Sequence, residues 1–579
     1  MRISRLEISH FRGFKFLVLV PRNNVVVVGE PRAGRSDLLA AIRRVLDPRS
    51  TQSRPSEWDL HRSVQTAAEK LNLKDAESPL TFVEVTLVEL PDETEQTLED
   101  RLELFSPTTG EPVGAEDADD GVLGVRIRYC LRRDSNEQSF EHWVEYPRTG
   151  QRVPRSEREL LKAFVLDRTA PLQLRAEGAL RRLASDANAA ALQSTLDEFS
   201  KSIAASTKAL AESDEIRAAL RLVAEHGVQN LLDLDAENPT APIGFSAEDG
   251  SLAALLRAVQ PTLELDDAGV LPLSSHGSTT SAIIAAAEAA AAAQIDDLIV
   301  LADDFGDQLD AASAEYLAAR LRRRGGQLWL TTRQPEVLRA FEPNELIRLT
   351  RSSGVRVAFQ LAETTDKKER MRRRYLHSLL SSAMSARKVI LLEGPHDLAT
   401  YTAVSERLFR EQNEAPLAAY GMRLVSTSVS GGEGGKQELP KLARLAGDVG
   451  LAVRVVLDHD KPGTDGDLID ELSSISEMVV RLPIRAAVER TLVKGIDVDI
   501  LRKALEALND DYGLGLEIDE LQEDDVAKKC VWALKQKNGL HKAFVDVLPK
   551  GVIPPLASEV LRRLKADTPD KPLVEMGDL

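Results

Sequence analysis

Two short apolar runs in the C-terminal half of the chain each end abruptly in acidic residues. The first run occupies residues 388–392 and the second occupies residues 451–457. The acids that follow them are Glu393, Asp397, Asp458 and Asp460. Runs of this kind predict strands buried on both faces, as in a parallel sheet. Open α/β sheets bind ligands at the carboxyl ends of their strands, so we expect the four acids to lie at one edge of the sheet.

The spacing of these acids indicates a metal site. Asp458 and Asp460 are two residues apart, so an extended chain points both carboxylates to one side, where Glu393 can face them. Clustered carboxylates repel one another unless a cation neutralises them, and oxygen-only ligands suit Mg²⁺ or Mn²⁺. The alternative is that strand-end acids cap the following helices or face water, which is the usual explanation for a single motif of this type.

The two motifs, in this order, resemble the TOPRIM domain of topoisomerases, primases and the overcoming-lysogenisation-defect (OLD) nucleases. The resemblance covers residues 386–492. It implies that Glu393, Asp397, Asp458 and Asp460 bind catalytic Mg²⁺ or Mn²⁺.

The same resemblance implies two further groups. One is an acidic ligand on a helix after a later strand, for which Glu489 is the candidate, although a helical glutamate is usually a surface residue. The other is a C-terminal lysine that steadies the charged transition state. Lys542 is favoured over Lys535 and Lys537.

The N-terminal region contains a phosphate-binding pattern. An apolar run ends in Gly29, and Gly34, Arg35 and Ser36 precede a helical stretch. This order is the context of a P-loop, in which backbone N–H groups surround phosphates, the basic residue meets the β- and γ-oxygens, and Ser36 ligates Mg²⁺. Arg35 stands where the pattern has lysine, and the two side chains are not interchangeable. The alternative is an ordinary glycine-containing β–α turn.

Further motifs follow in the order found in ABC-type ATPases. A signature-type loop contains Gly277, an apolar strand ends in Asp303 and Asp304, and a switch-type segment contains Arg333. Together with Arg12 in a Phe-Arg-Gly-Phe segment, this order resembles the RecF/SMC/OLD branch of these ATPases.

Three positions depart from the ATPase pattern together. Arg35 replaces lysine, Asp304 stands where glutamate is usual, and Arg333 stands where histidine is usual. We therefore expect ATP binding to be weak and ATP hydrolysis to be slow or absent.

The composition excludes several classes of protein. A net charge of -18 and an aromatic content of 4% argue against electrostatic coating of nucleic acid, although a local basic groove is compatible with them. A basic run at 367–374 is either a solvated helix face or a phosphate contact. The two cysteines, Cys130 and Cys530, fit a reducing cytosol. We expect a cytoplasmic protein with no membrane segment.

The expected fold class is α/β, with an ABC-type head, a helical insertion that serves dimerisation, a Rossmann-like parallel TOPRIM sheet and a small helical C-terminal region. The predicted domains are 1–165 and 241–365 for the head, 166–240 for the insertion, 366–500 for TOPRIM and 501–579 for the C-terminal region. A helical lobe packed on its own head is the alternative for the insertion.

The order of these motifs and domains along the chain resembles that of the OLD family, which includes the nuclease of the Gabija anti-phage system. The resemblance implies a divalent-metal-dependent DNA endonuclease with a degenerate, regulatory ATPase head, in anti-phage defence or DNA processing. It implies DNA, a second copy of the chain, and an operon-encoded helicase or defence protein as partners. The alternatives are a catalytically silent nucleotide- or DNA-sensing scaffold and an SMC-like tether, for which the helical stretches at 187–226 are short.

Overall fold

A computed structural model provides the structure of the chain. It describes residues 1–21, 23–51, 53–63, 80–114, 120–134, 139–161, 163–166, 171–172, 174, 179–223, 252–265, 267, 269–292, 298–322, 326–428, 435–459, 465–518, 520–536 and 539–577. The chain divides into two compact units. The first comprises Met1, Lys162–Ala302 and Gln308–Leu328, and the second comprises Arg2–Leu161, Asp303–Asp307 and Trp329–Leu579.

The first unit is mainly helical. Its strands are Ala163–Val165, Thr262–Leu263, Leu271–Pro272 and Ile299–Ala302. Its helices are Ala179–Glu212, Asp214–Val223, Leu252–Ala258, Ser278–Ala292 and Ala311–Arg322. The predicted helical stretches at 187–210 and 214–226 are confirmed as far as Val223; the residues from 224 to 226 lie outside the described part of the chain. The long helix Ala179–Glu212 is interrupted at Asn188, whose backbone is extended rather than helical.

The second unit begins with an antiparallel sheet. Its strands are Phe14–Leu19, Arg2–Phe11, Thr81–Val88, Val122–Asp134 and Glu103–Phe105, with Ser139–Glu145 paired to Val122–Asp134. The strand-like sequences at 80–90, 124–131 and 140–146 lie in three of these strands. Alternating side chains such as Leu6, Ile8, Val83 and Val85 are fully buried on one face of this sheet, as the period of two requires.

A second sheet carries the P-loop strand. Val25–Gly29 lies between two parallel neighbours, Gln327–Thr331 and Leu346–Ser352, and the latter continues as an antiparallel hairpin into Val355–Gln360. All five residues of Val25–Gly29 are buried, which agrees with its continuous apolar sequence. The remaining helices before residue 366 in this unit are Arg35–Leu46, Asp92–Thr97, Arg155–Leu160 and Pro335–Arg339.

The third sheet is wholly parallel and contains both predicted acidic strands. The strand order is Met422–Ser426, Lys388–Leu392, Ala452–Leu457, Met478–Arg481 and Leu573–Glu575. The helices of this region are Lys367–Leu380, Pro395–Gln412, Leu439–Asp448, Gly466–Ile475, Val488–Val493, Val498–Tyr512, Glu523–Gln536, Leu540–Val547 and Pro555–Lys565. One hydrophobic core joins the strands to the helices after residue 498.

The C-terminal region is therefore not helical throughout. Leu573–Glu575 pairs with Met478–Arg481 and extends the parallel sheet, whereas the sequence analysis placed the end of the sheet domain at residue 500. The strand is only three residues long and carries no buried run, so its sequence gives little signal. Among the described helices, none combines the length and apolar character that a membrane-spanning segment requires.

Candidate metal cluster and nucleotide cleft

Neighbouring parallel strands bring Glu393 and Asp458 together. Lys388–Leu392 pairs directly with Ala452–Leu457, and each acid follows the last residue of its strand. The backbone N–H of Asp458 donates a hydrogen bond of 2.8 Å to Glu393 Oε1. The predicted convergence of these two acids at one edge of the sheet is thus present in the fold.

Asp397 lies beside them in the first turn of the helix Pro395–Gln412. Its Oδ2 accepts a 3.0 Å hydrogen bond from the backbone N–H of Gly394, and the residue is only 5% exposed. Its Oδ1 is buried and accepts no hydrogen bond from the described residues. Burial, followed by the charge of Asp458 and then that of Glu489, raises the pKa of Asp397 to about 8. A cation is the natural means of keeping this carboxyl ionised at neutral pH.

Glu489 is buried, against the usual expectation for a helical glutamate. It lies in the short helix Val488–Val493 and is 4% exposed. Its Oε1 is 3.2 Å from His396 Nδ1, and its Oε2 is 3.8 Å from Lys535 Nζ. Because its charge also contributes to the raised pKa of Asp397, Glu489 belongs electrostatically to the acidic cluster.

The positions of the C-terminal lysines do not support the predicted preference for Lys542 as the catalytic lysine. The structure directs the favoured Lys542 to the surface, where its Nζ lies 2.8 Å from Glu406 and 3.7 Å from Asp546, with 58% of the side chain exposed. Lys535 is also about half exposed, but its Nζ lies 3.8 Å from Glu489 Oε2. Lys537 and the predicted ligand Asp460 lie outside the described residues.

Lys436 also reaches the cluster. Its Nζ donates hydrogen bonds to the backbone carbonyl of Asp458 at 3.0 Å and to Asp465 Oδ2 at 3.3 Å. No role was predicted for Lys436, because a lysine beside a glycine-rich segment gives no clue to the strand end that it contacts.

The acidic cluster offers the type of donor atom that a hard divalent cation accepts. Glu393, Asp397 and Asp458 offer oxygen donors only, and the buried Asp397 Oδ1 is available as a ligand atom. Carboxylate-only sites of this type are typical of Mg²⁺ and Mn²⁺. Tyr401, whose pKa is raised by burial and by the nearby carboxylates, is fully buried. It is therefore not placed to attack a bound substrate.

A second candidate site surrounds the P-loop. It is a cleft of about 710 Å³ in which arginine predominates. The lining arginines are Arg12, Arg32, Arg35, Arg62, Arg333, Arg351 and Arg356, and the lining carboxylates are Glu30, Asp37 and Asp304. This excess of cationic groups suits a polyanion such as a nucleotide polyphosphate.

The P-loop glycines are required by their surroundings. Gly34 caps the helix Arg35–Leu46 with a φ of 99°, in the left-handed region that favours glycine. A Cβ atom at Gly34 would lie 2.2 Å from Arg356 Nη1, and Arg356 Nη1 is 2.5 Å from Asp37 Oδ2. Gly29, with a φ of 148°, leaves a Cβ position 2.0 Å from the carbonyl oxygen of Leu349. The loop is thus packed closely against the hairpin that contains Leu349 and Arg356.

Ser36 and Asp303 occupy the positions expected of a nucleotide-bound Mg²⁺ site. Ser36 Oγ donates a 3.0 Å hydrogen bond to Asp303 Oδ1, and the same oxygen accepts a 2.6 Å bond from Thr331 Oγ1. This matches the P-loop hydroxyl and the strand-end acid that together hold Mg²⁺ in P-loop enzymes.

The three residues that depart from the ATPase pattern, Arg35, Asp304 and Arg333, lie next to one another at the cleft. Arg35 Nη1 donates to the carbonyl of Gly29 at 2.8 Å, and its Nη2 is 3.8 Å from Asp304 Oδ1. Arg333 Nη2 lies 2.5 Å from Asp307 Oδ2 and 3.9 Å from Asp304 Oδ2. Burial lowers the pKa of Arg35, and burial with Asp303 and Asp307 raises that of Asp304.

Two further residues that were predicted to bind the nucleotide are Arg12 and Gly277. Arg12 is bound by Asp59 at 2.9 Å and by Asp37 at 3.3 Å, so it connects the first strand to the P-loop helix. Gly277 immediately precedes the helix Ser278–Ala292 in the first unit.

Arg348 joins the strand next to the P-loop to the parallel sheet, and the sequence analysis missed it. Its guanidinium is fully buried and donates to the carbonyls of Met384, Ala386, Val449 and Gly450 at 2.6–3.2 Å. These carbonyls precede the two strands that end in Glu393 and Asp458. An arginine in an apolar strand carries no sequence signal for such a contact.

Comparisons with known proteins match parts of the chain. A family model described as "Protein of unknown function (DUF2813)" matches residues 1–100. No curated protein matches. Among the 115 matching chains of solved structures is the "Crystal structure of the SmcHead bound to the C-winged helix domain of ScpA", with 15% identity, a TM-score of 0.35, and coverage of 64% of this chain and 100% of that chain. Another is the "SMC head domain from Thermotoga maritima", with 11% identity, a TM-score of 0.27, and coverage of 63% and 100%.

Proposed function

We propose that this chain is a divalent-metal-dependent DNA endonuclease with an ABC-type nucleotide-binding head that hydrolyses ATP slowly or not at all. The observation that carries the proposal is the meeting of Glu393, Asp397 and Asp458 at one edge of a parallel sheet, with Glu489 buried beside them. This arrangement supports the TOPRIM resemblance and the hydrolysis of phosphodiester bonds that the resemblance implies.

In the proposed site, Glu393, Asp397 and Asp458 hold the catalytic Mg²⁺ or Mn²⁺. The sequence resemblance adds Asp460 as a further ligand, and Glu489 lies next to the site. A bound divalent ion supplies an activated water and stabilises charge on the reacting phosphate. Lys436 fixes the carbonyl of Asp458 and thereby orients this strand end. Lys535, which lies 3.8 Å from Glu489, is the lysine best placed to offset developing negative charge.

A basic helix next to the cluster supports DNA as the substrate. The helix Lys367–Leu380 begins with exposed basic residues, and Tyr375 in it donates a 3.2 Å hydrogen bond to the carbonyl of Thr427. Thr427 Oγ1 in turn donates to the carbonyl of Glu393 at 2.6 Å. The basic surface is therefore anchored to the strand that carries a metal ligand, where it can contact the phosphate backbone.

The nucleotide cleft is proposed to bind polyphosphate without efficient catalysis. Arg35 donates to the loop's own Gly29 carbonyl, so its charge is directed away from the place where a P-loop lysine meets the γ-phosphate. Asp304 lies between Arg35 and Arg333, which hinders it from orienting an attacking water. Nucleotide binding then serves a structural or regulatory role, in anti-phage defence or DNA processing.

The test is cleavage of supercoiled plasmid by purified protein with Mg²⁺ or Mn²⁺ and without nucleotide. Asp458→Asn removes a carboxylate from the cluster and is expected to abolish cleavage. Glu406→Gln makes the same chemical change at an exposed ion pair and should leave cleavage unchanged. Equal cleavage by wild type and Asp458→Asn would contradict the proposal.

A second candidate function, a catalytically silent nucleotide-sensing scaffold that acts through a partner protein, is favoured by the arginine-rich cleft and its altered catalytic positions. It predicts that wild-type protein binds nucleotide but leaves the plasmid intact with either metal. Plasmid cleavage that requires Asp458 would exclude it.

A further inference from the structure

Two histidines and a buried glutamate meet next to the acidic cluster. His396 lies in the first turn of Pro395–Gln412, Glu489 in Val488–Val493, and His541 in Leu540–Val547. One potential ligand atom from each residue lies within 4.8 Å of the other two. The imidazole rings of His396 and His541 have centroids 4.6 Å apart.

His541 gives the cluster its unusual character. It is fully buried, and neither Nδ1 nor Nε2 forms a hydrogen bond with any described residue. Buried polar groups in folded proteins are nearly always hydrogen-bonded, because leaving one without a partner destabilises the fold. A ligand that accepts electron density from an imidazole nitrogen would satisfy this group, and a metal ion does so.

We propose that His396, Glu489 and His541 form a second metal site, which prefers a transition-metal ion such as Zn²⁺ or Co²⁺ to Mg²⁺. Two imidazole nitrogens and one carboxylate oxygen are donors that these ions accept, whereas Mg²⁺ prefers oxygen alone. The site does not require the nuclease activity proposed above. Glu489 contacts His396, and its charge also acts on Asp397, so it links this site electrostatically to the acidic cluster.

The geometry permits an ion with small side-chain movements. Ligands of an ion bound at about 2.1 Å lie roughly 3–4 Å apart. The three ligand atoms, within 4.8 Å of one another, need to approach by only about 1 Å, and all three residues are on helices packed into one core. Glu489 is already within 3.2 Å of His396 Nδ1, so a bound ion would replace that contact by coordination.

The test measures binding instead of activity. Metal-free protein is titrated with Mn²⁺, Zn²⁺ and Co²⁺ in calorimetry, with Mg²⁺ in separate runs, and the visible absorption of bound Co²⁺ reports nitrogen ligation. His541→Phe keeps an aromatic ring against His396 but removes both nitrogens, and His396→Gln is a second variant at a partly exposed position. Each is expected to weaken Zn²⁺ or Co²⁺ affinity by more than about tenfold.

Two controls separate this site from the acidic cluster. Asp458→Asn should retain the nitrogen-containing site and its Co²⁺ spectrum, even if cleavage is lost or never occurs. Glu406→Gln should match wild type throughout. Zn²⁺, Mn²⁺ and Co²⁺ binding that is the same in wild type and in both histidine variants would overturn the proposal, as would a site at which Mg²⁺ competes equally.

Discussion

Asp397→Asn should stabilise the metal-free protein, and the gain should increase with pH. The substitution keeps the shape of the side chain and leaves a carbonyl oxygen that can accept the bond from Gly394 N–H. It removes a charge that is buried next to Asp458 and Glu489. The side chain should therefore retain its structural role while the electrostatic repulsion is relieved.

The magnitude follows from the pKa of Asp397, which rises from an ordinary 3.8 to about 8. The pKa of Asp397 is higher in the folded state than in the unfolded state. The protonated carboxyl therefore contributes stability that is fully present below about pH 4 and is lost as pH rises through about 8. At about 1.4 kcal/mol per pKa unit, ionising the group in the fold costs on the order of 5 kcal/mol by pH 8. Because neighbouring carboxylates contribute to this shift, the variant should gain about 2–4 kcal/mol over wild type between pH 5 and pH 8.

Denaturant unfolding in EDTA at pH 5 and pH 8 measures this gain, with Glu406→Gln as the control for loss of an exposed carboxylate. Adding Mg²⁺ at pH 8 should reverse the order, because the ion stabilises wild type more than the variant. A variant that is no more stable than wild type at pH 8 in EDTA would refute the electrostatic account of the cluster, as would equal stabilisation of both proteins by Mg²⁺.

Four further outcomes are expected. Arg348→Met should lower the free energy of unfolding by about 3 kcal/mol or more, since it leaves four carbonyls without a donor; an unchanged urea midpoint would contradict this. Phosphate release from ATP, with or without DNA, should be near background, whereas robust turnover that is lost in Arg35→Ala would mean that the head is a working ATPase. Lys535→Ala should reduce plasmid cleavage more than Lys542→Ala. The reverse order would support the prediction from the sequence that Lys542 is the catalytic lysine. Light scattering should give a dimer or a higher even oligomer, and a monomer at micromolar concentration with and without nucleotide would contradict this.

Much of the fold that positions the two sites could be predicted from sequence patterns. The continuous apolar runs before Glu393 and Asp458 identified adjacent parallel strands, and their carboxyl ends are necessarily at one edge of the sheet. The glycines of the P-loop were recognisable from their spacing between a strand and a helix, and the left-handed backbone at Gly34 explains why glycine is needed there.

Contacts made by distant side chains could not be predicted in this way. His541 lies more than one hundred residues from His396, and neither occurs in a spacing that indicates a shared site. The preference for Lys542 was a choice among closely spaced lysines, and the direction of each side chain depends on which helix face packs inward. The strand Leu573–Glu575 is too short for its periodicity to be recognised.

The most direct measurement of the central claim uses end-labelled duplex DNA with Mg²⁺ or Mn²⁺ and no nucleotide, analysed on denaturing gels after protein removal. Wild type is expected to release strands with free ends and no attached protein, as metal-dependent hydrolysis requires, and Asp458→Asn is expected to release none. Strands that remain covalently bound to protein, or equal cleavage by Asp458→Asn, would contradict the account.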